Sequence, residues 1–513
     1  MTAAGWLEIA LYVAALTAIT PLLGRYMAHV FSGPARWGDQ DWKAYARSLL
    51  TFTAVSFALL YVILRPRMPY DVAFNTTASF VTNTDWQYYA GETTLTNLQQ
   101  MAGLAVQNFA SAAVGLAVAI ALIRALAARS GRGLGNFYDD LFCGLVYVLL
   151  PISVVVGLVL VSQGVIQSLH AGPVASQEVI KELGTNGGGF FNVNSAHPFE
   201  NPTWLSNFVE MLLILAIPAA LTSVYGRMVG NRRQGWALYS AMLALFVVGV
   251  VVVAIAENHP SPAMDAAGIH GFNMEGKEQR FGIASTALFA VVTTVASCGA
   301  VNGAMESLTG IGGLVPMANM QTGEVIFGGV GSGLYGILLF AILGVFLSGL
   351  MVGRTPEFLG KKIEAHEVKL TVIGTIGVPL LVLGATMLAL TSYGKASIFD
   401  SGPQGWSETL YAYTSQANNN GSAFAGYTGV TFADLLGGLV MLVGRFLPML
   451  ATLAIAGSLV GKRVVPAGAG TFRTDSPTFV VVLVGVIVLI ALLTFVPALL
   501  LGPVAQGMTH RLF

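Results

Sequence analysis

The chain has 513 residues, 55% of them hydrophobic and only 10% charged, with a mean hydropathy of +0.72; this balance excludes a water-soluble fold and marks a polytopic membrane protein. Its 25 basic and 25 acidic residues cancel, so nothing in the charge invites nucleic acid as a partner. Two isolated cysteines, Cys143 and Cys298, imply neither a disulfide framework nor a zinc site.

Apolar runs long enough for a bilayer core, roughly 20 residues each, fall at residues 6–30, 48–64, 102–128, 141–163, 204–226, 236–256, 325–351, 369–391, 431–460 and 478–502. The first lacks a basic lead-in and a small-residue cleavage signal and is expected to be retained. Ten spans put both termini on one side. Between spans two and three, four and five, six and seven, and eight and nine lie segments too short or too polar to cross. Each holds a polar, glycine- or asparagine-bearing stretch: TNTDWQ at 82–87, GTNGGGFFN at 184–192, SCGAVNG at 297–303 and QANNNGSAFAG at 416–426. They recur roughly 100 to 120 residues apart, unlike any soluble repeat array.

The expected fold is all-α: ten transmembrane helices, with four membrane-pore-membrane repeats around one pseudo-fourfold pore and one extra helix at each end. Residues 1–47 hold the first span and its loop, 48–140, 141–235, 236–367 and 368–473 the four repeats, and 474–513 the last span.

Each pore segment reads as a short re-entrant helix followed by an extended turn. Asp71 is placed to cap a helix running to Val81, Ser176 one to Leu183 and Ser407 one to Ser415, while the third, from Arg280 to Ala296, has no evident cap. Irregular backbone at membrane depth survives only where it is buried in protein or lines a water-filled cavity. Four turns on one axis supply that cavity, and the negative C-terminal ends of the short helices favour a cation there. Carbonyl rings that replace the hydration shell of a monovalent ion make a potassium filter, and Gly187, Gly188, Gly189, Gly299 and Gly421 permit the backbone it needs. The candidate ion-binding residues are Thr82, Asn83 and Thr84; Thr185, Asn186 and Gly187; Ser297, Cys298 and Gly299; and Asn419, Asn420 and Gly421. The plainer alternative is that these glycines serve helix packing or ordinary turns.

Basic residues gather in five of the other loops: Arg36, Lys43 and Arg47; Arg124, Arg129 and Arg132; Arg227, Arg232 and Arg233; Arg354, Lys361, Lys362 and Lys369; Lys462, Arg463 and Arg473. The positive-inside rule makes these cytoplasmic. Both termini and the four pore segments then face the exterior, with the sparser positives Arg65, Arg67, Lys181, Lys277, Arg280, Lys395 and Arg511.

The strings TNTDWQ, ELGTNGGGFFNVNSAHPFENPT, ASCGAVNGAMESLTGIGGLVPMANMQTGEVIFGGVGSGLYG and TSQANNNGSAFAG resemble those of the KdpA family, the potassium-binding subunit of the bacterial potassium-transporting ATPase, and the resemblance runs from the first span to the last. It implies a fold similar to potassium transporters with four membrane-pore-membrane repeats, K+ as the bound substrate with no other cofactor, and the bacterial plasma (inner) membrane as the location. It also implies assembly with a P-type ATPase catalytic subunit and two small membrane subunits. One departure is Asp85, where the family pattern TNTNWQ has an amide.

Neither a GxxxxGK[ST] loop nor a DKTGT phosphorylation sequence is present, so the chain itself is expected neither to bind nor to hydrolyse ATP. Ser195 and His197, beside Asn192 and Glu200, lack a nucleophile elbow and read as a hydrogen-bonded scaffold behind the second turn. The seventh span is interrupted by GGVGSGLYG, residues 328–336, where Gly329, Gly331 and Gly333 cannot sustain a uniform helix; in relatives such a break resembles a gate, and close helix packing is the alternative. Arg445 sits mid-span, where a charge is expensive, and either opposes a cation beneath the filter or neutralises carbonyl ends of pore helices. By resemblance, ions are diverted sideways into the ATPase partner, with Gln87 offering an oxygen on that route. Glu210 and Glu306 are further candidate partners of a cation. The functional expectation is a subunit that takes up extracellular K+ and delivers it to the ATPase; a self-sufficient K+ channel or ion-coupled symporter is the alternative.

Overall fold

A computed structural model of the chain describes residues 1–129, 131, 133–353, 355–465 and 472–510. Arg132, Arg354 and Arg511, used above for orientation, lie outside the described residues. The described residues hold ten helices long and apolar enough to cross a membrane: Ala3–Phe31, Trp42–Leu64, Asn97–Ala127, Phe137–Ser162, Trp204–Met228, Arg232–Glu257, Ser332–Val352, Ala365–Ala389, Thr431–Val460 and Pro477–Leu499. The protein is a multi-pass membrane protein. One departure from an all-helical chain is a two-residue strand pair, Glu357–Phe358 with Lys361–Lys362, in the loop before the eighth span.

Burial sorts the spans into two layers. The third, fifth, seventh and ninth spans bury 89%, 78%, 72% and 56% of their most apolar windows, whereas the other six bury between 22% and 50%. The second span of every repeat is therefore an inner wall, and the first faces outward with the two extra helices. The first span lies along the fifth, its Tyr12 hydroxyl donating to Met211 O at 2.8 Å.

Four short helices, Tyr70–Val81, Val174–Leu183, Gly282–Val295 and Gly402–Ala417, lie between the two spans of their repeats. Their starts differ from expectation. Pro69, Pro173 and Ser401 occupy the N-cap positions, and Asp71, Ser176 and Ser407 fall inside the helices instead. Asp71 is free of capping because it accepts a bond from Thr431 Oγ1 of the ninth span. Proline sets the entry into the first two helices, since its missing N–H costs nothing at a helix start.

The seventh span also differs. It begins at Ser332, and a separate helix, Gly310–Gln321, precedes it. Residues 322–331 form an irregular segment between the two, in which Glu324, Phe327, Gly328 and Gly331 all have positive φ. The span is broken further upstream than the glycine run indicates, because residues 310–321 form a half-helix of their own, started by Thr309, whose Oγ1 accepts from Gly312 N at 3.1 Å.

Candidate functional site: a ring of four turns

Each short helix ends on a turn of its own, and three use one device. After Val81 the chain reverses at Asn83 (φ +64°), so that Thr84 N and Asp85 N both donate to Ser79 O at 2.9 and 3.3 Å. After Leu183 the reversal is at Thr185 (φ +51°), and Asn186 N donates to Lys181 O at 2.7 Å. After Ala417 it is at Asn419 (φ +55°), and Asn420 N donates to Ser415 O at 2.8 Å. A left-handed, β-branched threonine is a genuine outlier. Thr185 is held there by its hydroxyl, which donates to Gly184 O at 2.7 Å and accepts from Val330 N at 3.0 Å.

The third turn is built otherwise. Its helix stops at an extended Ala296, Thr293 Oγ1 donates to Cys298 O at 2.9 Å, and the freed Val295 carbonyl accepts from Gly328 N at 2.7 Å. Cys298, the counterpart of Asn83, Thr185 and Asn419, has no left-handed backbone.

The four turns close a ring in sequence order. Asn83 Nδ2 donates to Thr185 O at 2.8 Å, and Asn186 Nδ2 returns a bond to Asn83 Oδ1 at 2.9 Å. The second and third turns meet backbone to backbone, so close that a Cβ on Gly187 would lie 2.0 Å from Gly299 N. Asn420 Nδ2 ties the fourth turn to the third through Thr293 O and Ala296 O at 2.9 and 2.8 Å. Asn419 Nδ2 closes the circle on Thr84 Oγ1 at 2.9 Å. All the candidate ion-binding residues lie in this ring, and all are buried except the half-buried Gly421.

The two faces of the ring differ sharply. On one, a cavity of about 650 Å³ is lined by Asp85, Gly187, Gly188, Gly299, Gly421 and Ser422, drawn from all four turns. On the other, the broken seventh span crosses beneath: Val330 N bonds Thr185, Ser332 Oγ lies 3.2 Å from Ser297 Oγ, and a Cβ on Gly331 would strike Gly115 O of the third span at 2.0 Å. Gly329 and Gly333 are equally confined, against Ser297 and Phe327. Only about 40 Å³ is free there, lined by Glu324, Ser332, Tyr335, Asn419 and Arg445 among others. Arg445 is 4% exposed and makes no ion pair or hydrogen bond among the described residues. Gln87 stands on the open side, in the large cavity, with its oxygen accepting from Gly189 N at 3.1 Å.

A buried polar network backs the second turn, and sequence reasoning caught only part of it. Lys181, read there as an exterior positive, is fully buried and reaches Glu178 at 2.7 Å, Glu200 at 2.9 Å and Asn194 Oδ1 at 2.7 Å. Asn194 Nδ2 in turn donates to Gly187 O at 2.6 Å, so this network holds a carbonyl of the ring. Ser195 donates to Glu178 at 2.8 Å and His197 stacks on Phe191 at 3.7 Å, as expected of a scaffold. Lys277, another expected exterior positive, is buried against Glu257 at 2.8 Å. The missed signal was three charges in SQEVIKELG, on a helix otherwise committed to burial.

Residues 10–508 match the family model KdpA, described as the potassium-transporting ATPase A subunit. The chain belongs to this family. A protein of Methylobacterium nodulans is 53% identical, with 99% of this chain and 98% of the relative aligned, and one of Granulibacter bethesdensis is 50% identical over 99% of each. Both relatives are named potassium-transporting ATPase potassium-binding subunit. Among solved structures, the potassium transporter TrkH of Vibrio parahaemolyticus shares the fold, with a TM-score of 0.57 at 15% identity over 87% of this chain and 95% of that one. The fold expectation of ten spans holds, and so does the resemblance drawn from the four strings.

Proposed function

We propose that this family member is the subunit that selects extracellular K+ and delivers it to a P-type ATPase partner for ATP-driven import. The observation that carries the reading is the closed ring of four turns between a wide cavity and a plugged floor. A dehydrated cation needs fixed oxygens, and four turns bonded to one another hold theirs at a set spacing. Short helices ending on the ring add the negative ends of their dipoles. In this reading the wide cavity faces the exterior of the bacterial inner membrane, as do both termini, and the repeats divide at the boundaries given above. Two small membrane subunits complete the assembly.

The floor supports a pump subunit over a self-sufficient channel. Arg445 and the segment 322–331 stand in the direct route, so the ion must leave sideways, toward a partner. Hydrolysis of ATP belongs to that partner. Liposomes holding either this chain alone or the assembled transporter decide between the readings: uptake is expected only from the assembly with ATP, and steady K+ flux through the chain alone would establish the channel.

A further inference from the structure

Far from the ring, the first, fifth and sixth spans meet through their smallest residues. An added Cβ on Gly24 of the first span would stand 2.5 Å from Ser223 Cβ of the fifth, and one on Gly235 of the sixth would stand 2.3 Å from Thr222 O. At this junction the helices leave a cavity of about 130 Å³, lined by Thr20, Pro21, Ser223, Arg227, Arg232 and Trp236 among others. Arg227, in the last turn of the fifth span, is held by its own neighbours: Nε donates to Ser223 Oγ and Nη2 to Pro21 O, both at 3.3 Å. Its Nη1 has no acceptor among the described residues. Arg232 opens the sixth helix and is exposed, and its guanidinium makes no ion pair or hydrogen bond among the described residues.

Unbalanced charge sets this corner apart. Each of the other four basic loops contains at least one ion pair: Arg36 with Asp139, Arg124 with Asp140, Lys362 with Glu364, and Lys462 with Glu367. The loop of Arg227, Arg232 and Arg233 has none among the described residues. Arg232 and Arg25, the latter on the first span and also without an ion pair, stand close enough for their charges to act on Arg227. Asp475 reaches only Asn231 of this loop, at 3.3 Å, and is already paired with Arg473. No acid lines the cavity. Guanidinium groups gathered at a partly buried cavity without a carboxylate suit an anion, and their planar forks match the oxygens of a phosphate.

Position indicates where that phosphate comes from. Arg227 ends one span and Arg232 begins the next, so the cavity lies at the edge of the bilayer. Trp236 in its wall and Leu22, beside Pro21, are exposed apolar side chains, and tryptophan is the residue that settles at headgroup level. We propose that Arg227 and Arg232 bind the phosphate of an anionic phospholipid, in the leaflet on the side of the basic loops, with its acyl chains running along the first and sixth spans. Basic pockets between transmembrane helices are suited to such headgroups. The proposal stands apart from the potassium reading.

The test uses the assembled transporter, delipidated in detergent, with phosphatidylglycerol or phosphatidylcholine added back and the retained lipids counted by native mass spectrometry. One phosphatidylglycerol per chain is expected to bind more tightly than phosphatidylcholine. Arg232→Gln, at an exposed position, should weaken its binding about fivefold, and Arg227→Gln by at least as much. Arg233→Gln removes the same charge from the next residue, which does not line the cavity, and should change binding by less than about twofold. Equal retention of the two lipids by the wild type overturns the site, as does undiminished phosphatidylglycerol binding in Arg232→Gln. An equal loss in Arg233→Gln would mean a diffuse basic surface, and displacement of the lipid by excess inorganic phosphate would mean a site for the free anion; either overturns the proposal. So does failure of Arg232→Gln to assemble, which would place this arginine against a partner subunit.

Discussion

Gly187 is the most sensitive point of the ring, and its replacement by alanine has a consequence that the geometry sets. Its φ is +86°, outside the region that a residue with a Cβ prefers, at a cost of about 1 to 2 kcal/mol. The new Cβ would lie 2.0 Å from Gly299 N and 2.4 Å from Ala300 N, where ordinary contact begins at 3.4 Å. Neither neighbour is a flexible side chain. Backbone must move by more than an ångström, and overpacking of that kind costs about 1 to 3 kcal/mol. Part of this is relieved by parting the second and third turns, which on the proposed reading spoils the oxygen spacing for K+. The combined penalty of about 2 to 5 kcal/mol corresponds to at least about a 30-fold loss of apparent K+ affinity, at 1.4 kcal/mol per tenfold. K+-stimulated ATP hydrolysis by the assembled transporter, titrated with K+, Rb+ and Na+, measures it. Gly164→Ala supplies the control, because Gly164 has a comparable φ of +101° with its nearest neighbour 3.8 Å from the added Cβ. It should fold less stably yet keep its K+ affinity. Wild-type affinity and selectivity in Gly187→Ala would refute the assignment of this ring as the filter.

Arg445→Met should raise passive K+ leak in vesicles and lower the ions moved per ATP; unchanged leak and coupling would make Arg445 a purely structural residue. An ATP analogue should bind the assembled transporter and not this chain alone, as equilibrium dialysis of each would show. Lys361 lies outside the spans, where its Nζ donates to Ala125 O and Leu459 O at 2.7 and 2.8 Å, and burial lowers its pKa to about 8 from 10.5. Between those values the unfolded chain binds a proton that the folded chain lacks, so stability should rise with pH from about 8 to 10.5, by at most about 3 kcal/mol; the melting temperature of Lys361→Met should lose that rise.

The spans were legible because each is an apolar run of bilayer length, a one-dimensional signal that needs no partner. Inner and outer spans were not, since lipid and protein interior ask for the same residues; Ala112 to Ile123 is wholly enclosed and Val154 to Leu158 mostly exposed, on equally apolar sequence. The four turns were visible as polar, glycine- or asparagine-bearing stretches, but not their closure, which depends on Asn83, Asn419 and Asn420 reaching neighbouring repeats. Helix starts were misplaced because Asp71, Ser176 and Ser407 are good cap residues whose side chains find other partners, Thr431 in the first case. The burial of Lys181 was not legible because basic residues are counted by sign and loop, whereas three nearby acids on one helix and the following loop decide it.

The placement of charge about the ring bears on which way an ion leaves it. Behind the second turn stand Glu178, Glu182, Glu200 and Glu210, all buried, against the single positive charge of Lys181. Glu210 is fully buried among them. Beneath the ring the sign reverses at Arg445, in a space of about 40 Å³ that leaves little room for water. Two unit charges about 5 Å apart at an effective dielectric of 20 repel by about 3 kcal/mol, enough to slow passage by about two orders of magnitude before any steric barrier. Glu324 lines the same space but makes no ion pair with Arg445 among the described residues. Neutralising Glu324 as Glu324→Gln should therefore leave the seal intact, whereas Arg445→Met opens it; a leak through the Glu324 variant of equal size would mean that the pair, and not the arginine, governs the floor. On the reading proposed above, a ring that attracts a cation above a floor that repels it is poorly suited to conduction straight through, and well suited to holding the ion until a partner draws it away.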